Sequence, residues 1–403
     1  MRVLERLLEK AIFLYSDERV WESHVIVQNL IKKYGFKNVC NKNPIILEIQ
    51  RRAATIKFFT NNFNDLNINE IDIHSDFYNN HEDNELFYEF KINNSEDKTN
   101  EEFYSENETE SDKSFKSTNS KLESLNSVKE LEINDDCYFD ENGDLFKNKQ
   151  YEECSGLITK TKPSEWQYII QKDPFDLWYR SYENSSIIEV CFQGFIKTNI
   201  LNILSVFYER DLYKDWIPYY TFPIKFGLNS IKEILHKDRI HLVTAIYIDI
   251  PWPFSNREII LEIWASNEII PNNRIFIHAS SIEDHGFHPR LKVEIPYSLG
   301  YSNRANISGG GFVSPHADNL AHLIFKWKID LLFEPPKVLL NFFLKNFIKA
   351  CWDKFSNVCL QVDQPNSLHK ERLDTNKDLY DFIRAKLKEK SEHELNNAKG
   401  SSP

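Results

Sequence analysis

Apolar residues recur along this chain in three rhythms, and the places where the rhythm changes divide it. Over residues 1–59, "VLERLLEKAIFLY" (3–15) and "SHVIVQNLIKKYG" (23–35) repeat apolar positions every three or four residues, which predicts helices, with Gly35 as a stop. From 60 to 153 the apolar residues thin out. A stretch such as "NNSEDKTNEEFYSENETESDKSFKSTNSK" (93–121) has too little apolar surface to offset the entropy of ordering it. That segment is expected to be an acidic low-complexity linker, largely disordered.

The third rhythm begins near Trp166. "FDLWYRSY" (175–182) and "SIIEVCFQGFIK" (186–197) read as strands, and "TNILNILSVFYERDLYKDW" (198–216) as a helical stretch opened by Thr198 or Asn199. Five runs rich in Ile, Val, Phe and Trp follow between 230 and 330. In one of them Leu242, Thr244, Ile246 and Ile248 alternate with His241, Val243, Ala245 and Tyr247, giving two faces. The block closes at 335–362 with a proline-opened helix whose apolar face, from Val338 through Phe342, Phe343 and Phe347 to Cys351 and Phe355, is far wider than one stripe. Strands do not alternate with helices, so the fold class is α+β with an antiparallel sheet. Four regions result: a helical N-terminal region 1–59, the linker 60–153, a folded domain 154–362, and a polar, partly helical C-terminal tail 363–403.

Charge sharpens this division. The 403 residues carry a formal net charge of −12, with Asp and Glu concentrated in the linker. The folded domain is nearly neutral and lacks the clustered basic face that nucleic acid needs, so nucleic acid is excluded as a partner. The six cysteines form no CxxC and no regular framework, which reads as reduced thiols. No apolar run is long enough to cross a membrane, and Glu5 and Glu9 interrupt the opening segment, so a cytoplasmic chain is expected.

Motifs for catalysis fail on their own chemistry. "FDENGDLF" (139–146) with Gly143 at the sixth position of a calcium loop puts Tyr138 and Lys149 where carboxylates belong. "HGFH" (285–288) lacks a third metal ligand, and "SGGG" (308–311) lacks the lysine and helix start of a phosphate cradle. No catalytic residue, metal or cofactor is expected, and the chain is not read as an enzyme.

One proline-rich segment sits between two of the best strands: "PWPFSNRE" (251–258). It resembles the Pro-aromatic-Pro-x-Ser-Asn-Arg-Asp signature of the START (StAR-related lipid-transfer) family. "ERDLYKDWIP" (209–218) resembles that family's helix ending in Trp-x-Pro, here with Trp216. "NRANISGGGFVSP" (303–315) resembles its strand running into a Gly-rich turn, and "IDLLFEPPKVLLNFFLKNF" (329–347) the start of its C-terminal helix. The resemblance covers about half of the chain. It implies a helix-grip fold, in which a curved antiparallel sheet wraps the long C-terminal helix around an apolar tunnel for one lipid.

Under that resemblance the cavity and gate candidates are Tyr213, Thr244, Ile246, Ile248, Ile259, Ile263, His278, Arg304, Leu339, Phe343, Phe347 and Cys351, and Asp249 is a further polar contact. Pro251, Trp252, Pro253 and Arg257 would build the corner, with Trp252 and Phe254 packing it and Arg257 as a brace. Thr244, Ile263, Tyr213 and Ile217 stand where the sterol and phosphatidylcholine branches keep charged residues. Ile246 and Ile259 replace aromatics of a choline cage, so neither lipid is favoured. Residues 282–302, long for a connection, are expected to gate the tunnel together with the C-terminal helix. Intracellular transfer of one lipid of unknown class, with transient peripheral membrane contact, is the expected function. A lipid sensor or scaffold without transfer is the alternative, an enzyme on this fold a more distant one, and residues 1–153 could hold a protein partner.

Overall fold

The computed structural model describes residues 2–35, 39, 44–65 and 164–400, apart from 173, 184, 223–224, 284, 299–301 and 318. Cys40, Cys137, Cys154 and the linker beyond residue 65 lie outside the described residues. Two compact units divide the chain, Met1–Asn61 with Phe139–Pro403, and Asn62–Tyr138. Of the second, only the end of one helix is described.

Helices α1 (Arg2–Ser16), α2 (Val20–Tyr34) and α3 (Pro44–Asp65) realise the N-terminal periodicity, the last running six residues beyond the expected boundary. Val27, Leu30, Ile46 and Ile49 form their shared core. Eleven strands make one sheet in the order β1-β2-β3-β13-β12-β8-β7-β6-β5-β4, with β11 added alongside β7. These are β1 (Gln167–Lys172), β2 (Phe175–Ser181), β3 (Ile187–Ile196), β4 (Tyr219–Tyr220), β5 (Phe226–Asp238), β6 (His241–Asp249), β7 (Asn256–Glu268), β8 (Arg274–Ser281), β11 (Ser302–Arg304), β12 (Asn306–Ala317) and β13 (Leu320–Asp330). Every pairing along the main path is antiparallel; β11 alone pairs in parallel.

Between β3 and β4 lies α4 (Ile200–Tyr208), opened by Asn199, whose side chain accepts from the Asn202 N–H. A 3-10 turn, Arg210–Asp215, then leads into Trp216. The C-terminal helix α5 spans 337–361. Its middle turn, Phe343–Phe347, has π-helical spacing between α-helical segments Lys337–Phe342 and Ile348–Gln361. The tail, expected to be partly helical, contains two helices, α6 (Leu368–Thr375) and α7 (Lys377–Gly400). Leu373, Leu379, Tyr380 and Ile383 bury one side of them in the main core, because a mostly polar segment still carries one apolar face.

The period-two alternation assigns the two faces of the sheet as expected. Ile246, Ile248, Ile259, Leu261 and Ile263 share the inner cluster, whereas Val243, Ala245, Tyr247 and Ile260 share the outer one. Helix α5 lies on the inner face, where Trp352 stacks on Phe175 at 4.6 Å and Phe355 meets Phe207 and Trp216. A sheet holding a C-terminal helix in this way is the helix-grip arrangement.

The outer face is covered by α3. Phe59 packs against Phe276, and the Arg52 guanidinium lies 4.8 Å from the ring centre of Trp264. A buried ionic network completes this interface: Arg290 donates to Glu262 at 2.7 Å, His241 Nε2 lies 2.8 Å from the same carboxylate, and Glu48 pairs with Arg51 and Arg52. Burial alone would raise the Glu262 pKa, but the bonds from His241 and Arg290 hold it well below the usual carboxylate range.

Candidate functional site

A cavity of about 80 Å³ opens between the inner face, α4 and α7. Its sheet wall is Leu242, Ile263, Ala265, Ile275 and Ile277. Leu204, Phe207 and Tyr208 come from α4, and Leu379, Phe382 and Ile383 from α7. Three lining residues carry polar groups: Glu18, Asn267 and Tyr208, whose hydroxyl lies 3.1 Å from His236 Nε2.

Glu18 sits in the α1–α2 turn with φ of 55°. Its carbonyl accepts from the Asn267 N–H at 2.8 Å and the Ser266 hydroxyl at 3.3 Å, which holds the turn against the end of β7. Its carboxylate is paired with Arg239. Burial, outweighing that pairing, pushes the Glu18 pKa up to about 7.

At the other end of the same strands is the proline corner. A turn closes on the Phe254 N–H to Pro251 carbonyl bond, 3.0 Å, across a cis Trp252–Pro253 peptide. No ladder donor is needed there, so the prolines cost the sheet nothing. Arg257, 6 % exposed, donates from Nε and Nη2 to the Leu331 carbonyl at 3.2 and 3.1 Å and from Nη1 to the Ser255 carbonyl. It thereby ties the corner to the segment leading into α5. Phe254 stacks on Phe333 at 4.2 Å. Trp252 does not pack the corner as expected: it is 91 % exposed, because the turn projects it outward.

The remaining sequence candidates separate into three groups. Ile246, Ile248, Ile259 and Ile263 come together on the inner face, and Ile263 also lines the cavity. Thr244 faces the same way but its hydroxyl is already donated to the Lys232 carbonyl at 3.0 Å. On α5, Phe343 stacks on Phe347, and Phe347 meets Phe226 edge-on at 4.8 Å beside Tyr220. Leu339 and Cys351 on that helix are half-buried.

The second group lies away from the cavity. Tyr213 donates to the Phe207 carbonyl at 2.5 Å and packs on Trp216, with burial pushing its pKa up to about 12. Asp249 accepts from Tyr219 and Asn229 and pairs with Lys225. The third group is on the outer face. His278 lies among Phe59, Trp264 and Phe276, where burial lowers its pKa to about 3, and Arg304 donates to Glu258 and the Pro296 carbonyl. Alternation explains the His278 outcome, since it pairs with Trp264, opposite in face to Ile263 and Ala265.

The expected gate at 282–302 also lies on the outer face. It forms a hairpin, β9 (Gly286–His288) with β10 (Val293–Ile295), and buries Ile282, Leu291 and Ile295 against Val243, Ala245 and Ile260. Its described residues thus pack on the face opposite to α5, and the expectation that it gates the tunnel with that helix is corrected. Sequence reading missed Glu18, Asn267 and the α7 contribution. Leu379 and Ile383, four residues apart, were the available signal for α7; the two single polar residues left none.

Solved structures similar to this chain include a StAR-related lipid transfer protein from Xanthomonas axonopodis, at 15 % identity over 49 % of this chain and 99 % of that one, with a TM-score of 0.39. Human STARD10 is 12 % identical over 60 % of this chain and 87 % of its own, with a TM-score of 0.41. Human StAR-related lipid transfer protein 5 is 11 % identical over 53 % and 94 %, with a TM-score of 0.40. No protein-family model matches the sequence, and no curated protein matches it. The helix-grip assignment stands on the strand order, the inner-face helix and the proline corner described above. Among the described residues, no helix is long and apolar enough to cross a membrane.

Proposed function

We propose that this chain binds one lipid between the inner face of its sheet and the helices over it, and carries that lipid between membranes. The apolar cavity, contiguous through Ile263 with the inner-face isoleucine cluster, carries this reading. The cavity is small beside ordinary ligand sites of roughly 300–1,000 Å³. A whole lipid therefore requires α5 or α7 to lift and the apolar interior to separate. The π-helical turn at Phe343–Phe347 is a natural place for α5 to yield, since its backbone register is already altered there. Each methylene taken from water gains about 0.8 kcal/mol, and leaving a bilayer returns most of that, which permits both uptake and release.

A membrane-facing end supports the same reading. Phe222, Trp252 and Val338 are 87 %, 91 % and 82 % exposed. Phe222 and Trp252 occupy the β4–β5 and β6–β7 connections and Val338 the first turn of α5, which the register and the Arg257 and Phe254 contacts gather at one end of the sheet. Exposed apolar loops grouped in this way suit transient insertion into a membrane surface. The chain then works in the cytoplasm with peripheral membrane contact, as a carrier rather than a catalyst.

A sensor without transfer is the second reading. It is favoured by Glu18, through which the N-terminal helices reach the cavity wall. Movement of labelled lipid from donor to acceptor vesicles by the full chain tests between them. Transfer at catalytic amounts of protein supports the carrier; stoichiometric binding without transfer supports the sensor. Chemically altered lipid would replace both with an enzyme.

A further inference from the structure

The polar end of the cavity is built, and its chemistry is selective. Asn267 is 7 % exposed, and its Oδ1 accepts from the Ile269 N–H at 3.0 Å, which fixes the orientation of the carboxamide. Among the described residues, its Nδ2 has no hydrogen-bond partner. A buried amide donor left unpaired costs free energy, and a ligand acceptor placed there would recover it. The other polar groups in the lining are already bonded: Glu18 is paired with Arg239, and the Tyr208 hydroxyl lies 3.1 Å from His236 Nε2.

We propose that this end of the cavity receives the head of a neutral lipid, whose hydroxyl or carbonyl oxygen accepts from Asn267 Nδ2. The proposal rests on the lipid-binding reading above and names the class of lipid. A phosphate head needs a cation with donors to spare. Arg239 is outside the cavity lining: its Nη1 donates to Glu18, its Nε has no hydrogen-bond partner among the described residues but faces Asp378 at 3.6 Å, and its guanidinium lies over the Phe382 ring at 4.1 Å, so two carboxylates already meet its charge. A quaternary ammonium head needs open aromatic faces. Phe382 is covered by Arg239, and Phe207 packs against Phe325 and Phe355. A single unpaired donor in an apolar wall matches a neutral oxygen.

The test gives the full chain four probes with the same tail: dodecanol, dodecane, dodecyl phosphate and dodecyltrimethylammonium, each below its aggregation threshold. Binding is followed by native mass spectrometry and by titration of intrinsic tryptophan fluorescence. Dodecanol should bind about three- to tenfold more tightly than dodecane, the worth of one hydrogen bond, and more tightly than either charged probe. Asn267→Asp keeps the acceptor for Ile269 and removes the donor; a dodecanol hydroxyl can donate to the new carboxylate, so the variant is read with 2-dodecanone, which only accepts and whose wild-type preference over dodecane should be lost. The wild-type comparison needs no variant and stands even where Asn267→Asp folds poorly. Phosphate or ammonium binding as tightly as the alcohol overturns the proposal, as does a well-folded Asn267→Asp protein with unchanged preference for 2-dodecanone over dodecane. If all four bind alike, only this inference fails; if none binds, the lipid-binding reading falls with it.

Discussion

The indole of Trp352 lies over Gly194, in the space that a Cβ at that position would occupy. The missing side chain lets α5 settle directly on β3, beside the stack of Trp352 on Phe175. Gly194→Ala should therefore act as overpacking rather than as a propensity change, at a cost of about 1–3 kcal/mol. Urea unfolding of the full chain measures it, and the companion Trp352→Phe should restore part of the loss in the double variant by freeing that space.

Arg257 works through the fork of its guanidinium, with separate nitrogens on carbonyls of the corner and of the α5 approach. Lysine offers a point charge in place of that fork. Arg257→Lys is expected to destabilise by about 1–3 kcal/mol, close to the cost of Arg257→Met, because one compact ammonium does not reproduce the fork that reaches the Leu331 and Ser255 carbonyls together. Thermal unfolding of the two variants side by side measures the difference. A lysine variant as stable as wild type would show that charge alone braces the corner.

Trp252 and Phe222 contribute little packing and much exposed apolar surface. Trp252→Ser with Phe222→Ser should change stability by no more than about 0.5 kcal/mol. Flotation with phosphatidylcholine vesicles should fall several-fold for the same protein. Equal flotation of the double variant and wild type would remove this end of the sheet as the membrane contact.

Glu18 has a pKa of about 7 in the folded chain, raised by burial above its ordinary value of 4.5. A raised carboxyl means that the folded state holds more protons than the unfolded state between those values. Its contribution to stability is thus present at low pH and is lost as pH rises from about 4.5 through about 7. Histidines such as His278 and His322, lowered by burial, slope the opposite way in part of this range. The comparison with Glu18→Gln isolates the one group. The variant should gain stability relative to wild type as pH rises from about 5 to about 7, with no further gain above about 8. A difference that does not vary with pH would place the Glu18 pKa near its ordinary value.

The architecture was legible because it is written in repeated local patterns. Alternation in β6 separated Ile246 and Ile248 from Val243 and Ala245, and Pro251 and Pro253 marked a connection where no ladder donor was needed. The site was less legible, for reasons that lie in tertiary placement. His278 went to the outer face with Trp264, its partner on the neighbouring strand, and which face that pair takes is decided by its packing with Phe59 and Phe276 rather than by the histidine itself. Loop length suggested a gate at 282–302, yet Leu291 and Ile295 supply enough apolar surface to fold that loop onto the outer face. Glu18 and Asn267 lie almost 250 residues apart and carry no local signal; they meet through a backbone hydrogen bond.

The central claim, that the inner face and its helices enclose a transferable lipid, is tested most directly by loading and transfer in one preparation. The full chain is incubated with vesicles of phosphatidylcholine containing fluorescent neutral lipid, re-isolated, examined by native mass spectrometry, and mixed with empty acceptor vesicles. The account predicts one lipid per chain, delivered to the acceptors, with loading much reduced in Ala265→Trp, which fills the cavity. A chain that remains empty after every loading condition, or an Ala265→Trp variant that loads and delivers like wild type, would contradict it.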